Sequence, residues 1–245
     1  MKNTVPIVAI MRWTNYWIRR LARSTHRLQF LVEWAVDNPE YFDHNLDIYY
    51  AWFHSRESFP VERGVLSSLA ITRDSRVLEL CCGDGFNAHH FYSLRASSVL
   101  GIDFDVEAIR WARRNYRSPN VRFEIGDIRK DIPNGPFDNI VWDAAIEHFT
   151  ESEIMNLMSR IKQVLTPAGT LSGYTIVEPL GGGKHLHQHE YEFRSKEDLA
   201  RFLVPHFKCV QVVETVFPSR TNLYFFASDS VLPFDRESSL ITRTG

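Results

Sequence analysis

The sequence has little cysteine and no long apolar run. Its three cysteines are Cys81, Cys82 and Cys209, and two of them are adjacent, so a disulfide framework is excluded. Reduced thiols predict a cytoplasmic protein. No uninterrupted apolar stretch approaches the roughly 18 residues that a membrane-spanning helix needs. The apolar stretch 5–11 is too short for a secretory signal and is not followed by a cleavage site of small residues.

An excess of charge of one sign is also missing. Lys and Arg number 28 against 30 Asp and Glu, which gives a net charge of −2 and argues against a nucleic-acid partner. The average hides an asymmetry, because residues 1–32 hold six basic residues and no acidic one. With 245 residues, 44% of them hydrophobic, the chain can bury the core of one α/β unit with an appendage.

From about residue 76 onward, short apolar strands alternate with helical patterns, which is typical of a parallel sheet covered by helices. The last two strands follow each other without a helix and suit an antiparallel pair. Helices are predicted at 87–94, from Asp105 to about Tyr116, after a capping box at Thr150, and from Ser195. The predicted strands are 76–80, 99–102, 121–125, 139–143, 170–177, 210–215 and 223–228.

The first of these strands runs into a turn of small residues at 81–85, and that turn opens a helix. Gly83 and Gly85 allow a close approach of a ligand to the backbone. Residues 83–88 also fit the dinucleotide pattern G-x-G-x-x-A. Glu79 decides between ligands, because its carboxylate would face the pyrophosphate of NAD across a short distance. It suits a ligand with an ammonium group instead, such as S-adenosylmethionine (SAM).

With this motif, Glu79-Leu80-Cys81-Cys82-Gly83-Asp84-Gly85, the chain resembles the class I SAM-dependent methyltransferases, in particular small-molecule enzymes such as those of ubiquinone biosynthesis. The family usually has a small residue where Cys81 stands. The resemblance implies a Rossmann-like α/β fold with a seven-stranded, mostly parallel sheet, an antiparallel last strand and helices on both faces. It also implies that Glu79, Cys81, Gly83 and Gly85 contact SAM.

Further motifs extend the resemblance over about residues 76–178. Asp103 matches the family's acidic residue that binds both ribose hydroxyls, and Phe104 matches the side chain packed against adenine. Asp127, followed by Ile128, matches the acceptor for the adenine amino group. Asp143 ends the fourth-strand motif 137–143, and 165–171 matches the motif before the fifth strand. Asp127 and Asp143 each have the alternative of capping a strand end.

The same resemblance places Glu147 and His148 beside the cofactor methyl group. A histidine titrates near neutral pH, so His148 is the candidate general base, and its alternative role is to hold the loop by a hydrogen bond. The pair is similar to the Glu-His of ubiquinone-biosynthesis O-methyltransferases. Those metal-dependent enzymes carry a further Glu where this chain has Ala144, so no metal is expected.

Two other groups of residues are candidates for acceptor binding. His185, His187, His189, Glu190 and Glu192 follow the glycine run 181–183, and alternate histidines on an extended segment would share one face. This cluster could hold a metal or form a lid, and the lid with His187 or His189 facing the acceptor is preferred. Aromatic residues dominate residues 1–70 and either roof a cleft, with Trp52 on the acceptor, or pack a subdomain. They are Trp13, Tyr16, Trp17, Trp34, Tyr41, Phe42, Tyr49, Tyr50, Trp52 and Phe53.

The predicted organisation is therefore a helical N-terminal extension at 1–70 packed on the core, a SAM-binding domain at 71–230 and a tail at 231–245. The basic residues 12–27 fit a solvated helix, weak contact with an anionic membrane surface, steering of an anionic acceptor, or organelle targeting. Oligomeric state has no signal in the sequence.

The expected function is methyl transfer from SAM to a hydroxyl or amine of a small molecule, with S-adenosylhomocysteine as product. A sugar or natural-product intermediate is the preferred acceptor. The alternatives are a non-catalytic SAM-binding regulatory subunit and, resting on the glycine pattern alone, an NAD-dependent oxidoreductase.

Overall fold

The computed structural model describes residues 5–33, 44–45, 48, 51–52, 56–178, 184 and 187–232. The chain divides into two compact units, Met1–Pro60 and Val61–Gly245. Several predicted features fall outside the described residues: Trp34, Tyr41, Phe42, Tyr49, Tyr50, Phe53, the glycine run 181–183, His185 and most of the tail. The packing of residues 1–70 on the core therefore stays a prediction.

The first unit contains the long helix α1 (Val5–Glu33). Every side chain described along this helix is exposed, except that of Ala22, which is half-buried. Among the described residues, no helix combines the length and the apolar character that crossing a membrane requires.

The second unit is built on a seven-stranded sheet in the order β3-β2-β1-β4-β5-β7-β6. The first five strands run parallel, while β7 lies antiparallel between β5 and β6. This agrees with the expected mostly parallel sheet and antiparallel last strand. The strands are β1 (Arg76–Leu80), β2 (Ser98–Asp103), β3 (Val121–Ile125), β4 (Phe137–Asp143), β5 (Leu165–Ile176), β6 (Cys209–Val216) and β7 (Thr221–Ser228).

Helices connect and cover these strands. The local sequence determines where three of these helices start. Asp105 accepts hydrogen bonds from the Glu107 and Ala108 amides. Thr150 and Glu153 form the predicted capping box, and Ser195 caps the last helix. The helices are α2 (Phe59–Leu69), α3 (Phe86–His90), α4 (Val106–Asn115), α5 (Glu151–Val164) and α6 (Lys196–Leu203), with 3-10 turns at Tyr92–Leu94 and Ile146–His148.

The central strands β1, β4, β5 and β7 are largely buried on both faces, whereas the edge strands β3 and β6 are more exposed. Leu78 and Leu80 of β1 join a core cluster with side chains of α5 and α6, such as Met158 and Phe202. Side chains of a strand alternate between its faces, so Glu79 points to the opposite face. That face carries α3, whose Ala88 backbone hydrogen-bonds to the Glu79 carboxylate.

The order of the strands in the sheet predicts the position of a ligand site. Strand β1 has β2 on one side and β4 on the other, so the connections leave it in opposite directions. A crevice opens at such a switch point, beyond the carboxyl ends of the strands. Glu79, Asp103 and Asp143, near the ends of three neighbouring strands, meet at this crevice.

Two predicted boundaries were wrong. The fifth strand begins at Leu165 and not at residue 170, because Leu165 already has extended backbone and pairs with Phe137. The pairing shifts before it resumes at Asn139 with Thr170, so Pro167, which has no N–H, lies in an irregular stretch of the strand. Helix α3 also ends early, since Phe91 leaves the helical conformation before the 3-10 turn at Tyr92.

Candidate cofactor and acceptor site

The turn after β1 has an unusual backbone. Cys81, Gly83 and Gly85 adopt positive φ angles of 56°, 53° and 77°. A Cβ atom at Gly85 would lie 2.4 Å from the Phe123 ring, so both conformation and space require glycine there. Glycine is thus required at Gly85 by packing against Phe123, and it is favoured at Gly83 by the backbone conformation.

Asp103, at the end of β2, is buried against this turn. Its Oδ2 accepts the Gly83 N–H at 2.8 Å and its Oδ1 accepts the Asp105 N–H at 2.9 Å. A carboxylate offers two oxygens with about four acceptor positions in all. The geometry is therefore compatible with a vicinal diol held by both oxygens.

Glu79 is the most unusual group of the site. It is 3% exposed, and burial raises its pKa well above the usual range, with further contributions from the charges of Asp143, Asp84 and Asp103. Its Oε2 has no hydrogen-bond partner among the described residues. A buried carboxylate oxygen without a donor, among other carboxylates, fits a ligand that brings its own ammonium group.

The residues predicted to surround the adenine occupy different environments. Phe104 is 45% exposed beside Asp103, so its ring is available to a planar ligand. Asp127 is half-buried; its Oδ1 accepts the Arg129 N–H, and its Oδ2 lies 3.4 Å from Lys130 Nζ. Ile128 is buried in the core cluster under α5. Cys81 is half-buried, and burial raises the pKa of its thiol well above the usual range.

Asp143 is already held by the protein. Its Oδ1 accepts Ser67 Oγ at 2.8 Å, while its Oδ2 accepts Tyr92 OH at 2.6 Å and Asn87 Nδ2 at 3.4 Å. Burial raises the pKa of Tyr92 well above the usual range, and the neighbouring Asp143 charge raises it further. The Asp143 carboxylate therefore links α2, α3 and the Tyr92 turn to the end of β4, close to Glu79.

The second cluster of the site follows β4. Glu147 is 4% exposed, and its Oε2 accepts Thr175 Oγ1 at 3.0 Å. Burial raises the pKa of Glu147, whereas the positive charge of a protonated His189 would lower it. The backbone carbonyl of Glu147 accepts the N–H groups of Glu190 and Tyr191 at 2.8 and 3.0 Å, so the late segment is fixed to this loop.

Two histidine rings meet in this cluster. The ring centroids of His148 and His189 are 4.8 Å apart at an interplanar angle of 87°. His189 Nδ1 lies 2.7 Å from Glu192 Oε1, and this contact leaves Nε2 for another partner. Burial lowers the pKa of His189 from its ordinary value, which outweighs the opposing effects of Glu147 and Glu192. The geometry favours a neutral His189 oriented by a carboxylate.

The cluster brings together only part of the predicted histidine segment. His187 is exposed while His189 is buried, so these two do not share one environment. One ligand atom from each of Glu147, His148 and His189 lies within 4.8 Å of the others, which is compatible with a metal ion as well as with acid–base chemistry. Trp52, in the first unit, is 59% exposed.

Several residues of the site had no sequence signal. Ser67 and Tyr92 come 76 and 51 residues before the Asp143 carboxylate that they contact. Thr175 was predicted only as a strand residue, although its hydroxyl donates to Glu147. Glu192 lay in the predicted cluster, and the i, i+3 spacing to His189 was the available hint of their pairing.

Comparison with known proteins agrees with this geometry. Residues 77–169 match the family model described as a methyltransferase domain. An uncharacterized methyltransferase of Mycobacterium tuberculosis is 33% identical over 104 residues, which cover 42% of this chain and 51% of that protein. The chain spans about half the length of the curated relatives that this match represents.

Solved structures show the same fold. The DhpI–SAH complex superposes with a TM-score of 0.52 and 21% identity, covering 63% of this chain and 78% of that one. A Listeria monocytogenes protein described as an S-adenosylmethionine-dependent methyltransferase gives a TM-score of 0.53 at 17% identity, covering 69% of this chain and 99% of that one. Residues 77–169 are therefore similar to a methyltransferase domain, and the second unit shares the fold of the solved structures.

Proposed function

We propose that this chain transfers a methyl group from SAM to a hydroxyl or amine of a small molecule. The observation that carries the proposal is Glu79, a buried carboxylate with one oxygen that lacks a hydrogen-bond donor among the described residues. A pyrophosphate would be repelled by this group and its acidic neighbours. The ammonium of a methionine moiety would supply the missing donor and charge.

Different residues in and around the turn would bind different parts of SAM. Glu79 would bind the ammonium, the turn at Cys81, Gly83 and Gly85 would pack against the methionyl chain, and Asp103 would accept from both ribose hydroxyls. When bound, SAM supplies an electrophilic methyl group on its sulfonium. Asp143 would contribute negative charge next to this cation, held in place by Ser67 and Tyr92.

The adenine would lie beyond the end of β2. Phe104 offers an exposed ring for stacking, and Asp127 offers a carboxylate to the exocyclic amino group. Ile128, buried beneath them, would support this side of the site through packing.

Acceptor chemistry would take place at the cluster after β4. A hydroxyl acceptor must lose its proton as the methyl group arrives, and His148 is the proposed base. Glu147 would keep the loop in place, since its backbone carbonyl holds the His189 segment and its carboxylate holds Thr175. His187 and His189 are proposed acceptor contacts.

A small acceptor is favoured over a macromolecule. Apart from the segment between Val177 and Ser195, the connections between β4 and β7 are short, so no recognition domain is inserted there. A sugar or natural-product intermediate is the preferred acceptor, and the proposed reaction uses no metal. Turnover should therefore change less than about twofold when a strong chelator is added.

Calorimetry tests the cofactor half of the proposal. Wild-type protein should bind SAM and S-adenosylhomocysteine but not NAD, and Glu79→Gln should bind SAM at least about tenfold more weakly through the loss of a charged pair. Glu107→Gln, a matched change at an exposed position of α4, should bind like wild type. Binding of NAD alone would overturn the proposal in favour of an oxidoreductase.

A mass-shift screen over pooled metabolites tests the enzymatic half. The expected result is an acceptor whose mass rises by one methylene when SAM is present. His148→Ala should reduce turnover of a hydroxyl acceptor by roughly 10²–10⁴-fold with SAM affinity unchanged. Unchanged turnover would remove His148 as the base, and SAM binding without any product would favour a regulatory subunit.

A further inference from the structure

Helix α1 presents two chemically different faces along its whole length. Successive residues of an α-helix are rotated by about 100°, so positions can be placed around the axis. The basic side chains Arg12, Arg19, Arg20 and Arg27 fall together on one side. The opposite side carries large apolar residues: Ile7, Ile10, Met11, Trp13, Trp17, Ile18, Leu21 and Leu28.

The described side chains of the apolar face are exposed. Ile10 is 63% exposed, Leu21 67% and Leu28 63%, and these three positions lie close together around the helix. Contiguous apolar surface of this kind is rare on soluble proteins and marks an interaction site. Trp13 and Trp17 pack edge to face at 6.3 Å between centroids, at the border between the two faces.

The charge of the helix restricts what can cover this face. Glu33, the last residue, is the only acidic residue of α1. Arginine side chains flank the aromatic border, and Arg20 lies 5.9 Å from the centre of the Trp17 ring. An anionic surface would complement these arginines.

We propose that α1 binds the surface of an anionic lipid bilayer. The helix would lie parallel to the surface, with the apolar face at the acyl boundary and the arginines among the headgroup phosphates. Trp13 and Trp17 lie where aromatic rings prefer the membrane–water interface. The proposal stands on α1 alone and does not depend on methyl transfer.

Vesicle flotation of the full chain tests this inference. Vesicles of phosphatidylcholine with phosphatidylglycerol should carry the protein, and vesicles of phosphatidylcholine alone should carry roughly tenfold less or none. Raising the salt concentration should release the protein from the anionic vesicles. Equal binding to both compositions, or binding to neither, would overturn the proposal.

Paired variants separate vesicle binding through α1 from an effect of the protein's overall charge. Arg19→Glu with Arg27→Glu should weaken binding to anionic vesicles by roughly tenfold or more, and Trp17→Glu with Leu21→Glu should do the same through the apolar face. Arg114→Glu with Arg117→Glu, the same charge change at exposed positions of the second unit, should bind like wild type.

Two controls test whether loss of folding or self-association explains a change in vesicle binding. Circular dichroism and SAM calorimetry should show that every variant remains folded and retains its cofactor affinity. Sedimentation of the wild-type protein without vesicles should show no self-association through α1. Leu21→Glu is the comparison, because it would abolish such self-association. If that self-association appears and vesicle binding does not, a second copy covers the helix and the proposal is wrong.

Discussion

Asp103 accepts a hydrogen bond from the backbone N–H of Gly83, with 2.8 Å between its Oδ2 and the glycine nitrogen. The acid at the end of β2 therefore holds the turn at the end of β1 in shape. Its other oxygen accepts the Asp105 N–H just before α4. One carboxylate thus preorganises two loops of the proposed cofactor site.

Replacing this carboxylate should affect both the turn and the cofactor. For Asp103→Ala we expect SAM affinity to weaken by roughly 1.5–3 kcal/mol, or roughly 10- to 150-fold in Kd, because charged hydrogen bonds are lost. Calorimetry provides the measurement, and Asp131→Ala, whose wild-type side chain is 93% exposed, provides the control. An unaltered Kd would mean that the ribose is held elsewhere.

Glu79→Gln should make the free protein more stable while it weakens SAM binding. The raised pKa of Glu79 means that the folded state holds a proton that the unfolded state releases, so stability is fully present below the ordinary pKa and is lost as pH rises through the raised one. Glutamine removes this loss. The gain in free energy of unfolding should therefore grow with pH, to the order of 1–3 kcal/mol, as for other unpaired buried polar groups.

Denaturant unfolding between about pH 4 and pH 8 would measure this difference against the Glu107→Gln control. SAM affinity of the wild type should rise with pH over the same window, because the ammonium requires ionised Glu79. Parallel stability curves for wild type and Glu79→Gln would contradict the raised pKa.

The sequence predicted the features that depend on neighbouring residues. The alternation of strands and helices along the chain, the glycine turn and the caps at Asp105, Thr150 and Ser195 all follow from local patterns, and the structure confirms them. Glu79 stood out because a carboxylate in a buried strand is costly unless a ligand compensates it. These are interactions within a few residues or along one strand.

Features that depend on distant partners could not be predicted. Asp143 was expected to face the cofactor, but its hydrogen bonds to Ser67 and Tyr92 join residues that are far apart in the chain. The start of β5 was misplaced because Pro167 and Gly169 predict a break before the strand, whereas Leu165 already pairs with Phe137. Tertiary pairing decided both cases.

Tyr92→Phe tests the network around Asp143. The phenol donates a 2.6 Å hydrogen bond to a carboxylate that is 7% exposed, so its loss should destabilise the fold by about 1–3 kcal/mol. Denaturant unfolding gives the value. Tyr16→Phe on the exposed helix α1 should cost less than about 0.5 kcal/mol. Equal effects of the two changes would show that the Asp143 contact contributes nothing measurable.

Glu192→Gln tests whether the Glu192 carboxylate orients the His189 ring and raises its pKa. The hydrogen bond from Glu192 raises the pKa of His189 against the larger lowering by burial, so its removal should move the titration of His189 further below the ordinary value. Histidine chemical shifts followed by NMR over pH provide the measurement. Glu190→Gln, an exposed change two residues away, should leave the titration in place.

The same pair of variants separates positioning from a merely structural role. If His189 contacts the acceptor, Glu192→Gln should lower kcat for a hydroxyl acceptor by roughly tenfold and shift the acid limb of its pH profile downward, with SAM affinity unchanged. A loss of stability without a shift in the profile would assign Glu192 to packing. The direction of the shift distinguishes positioning from packing, because a His189 that has lost the Glu192 carboxylate becomes protonated only at lower pH.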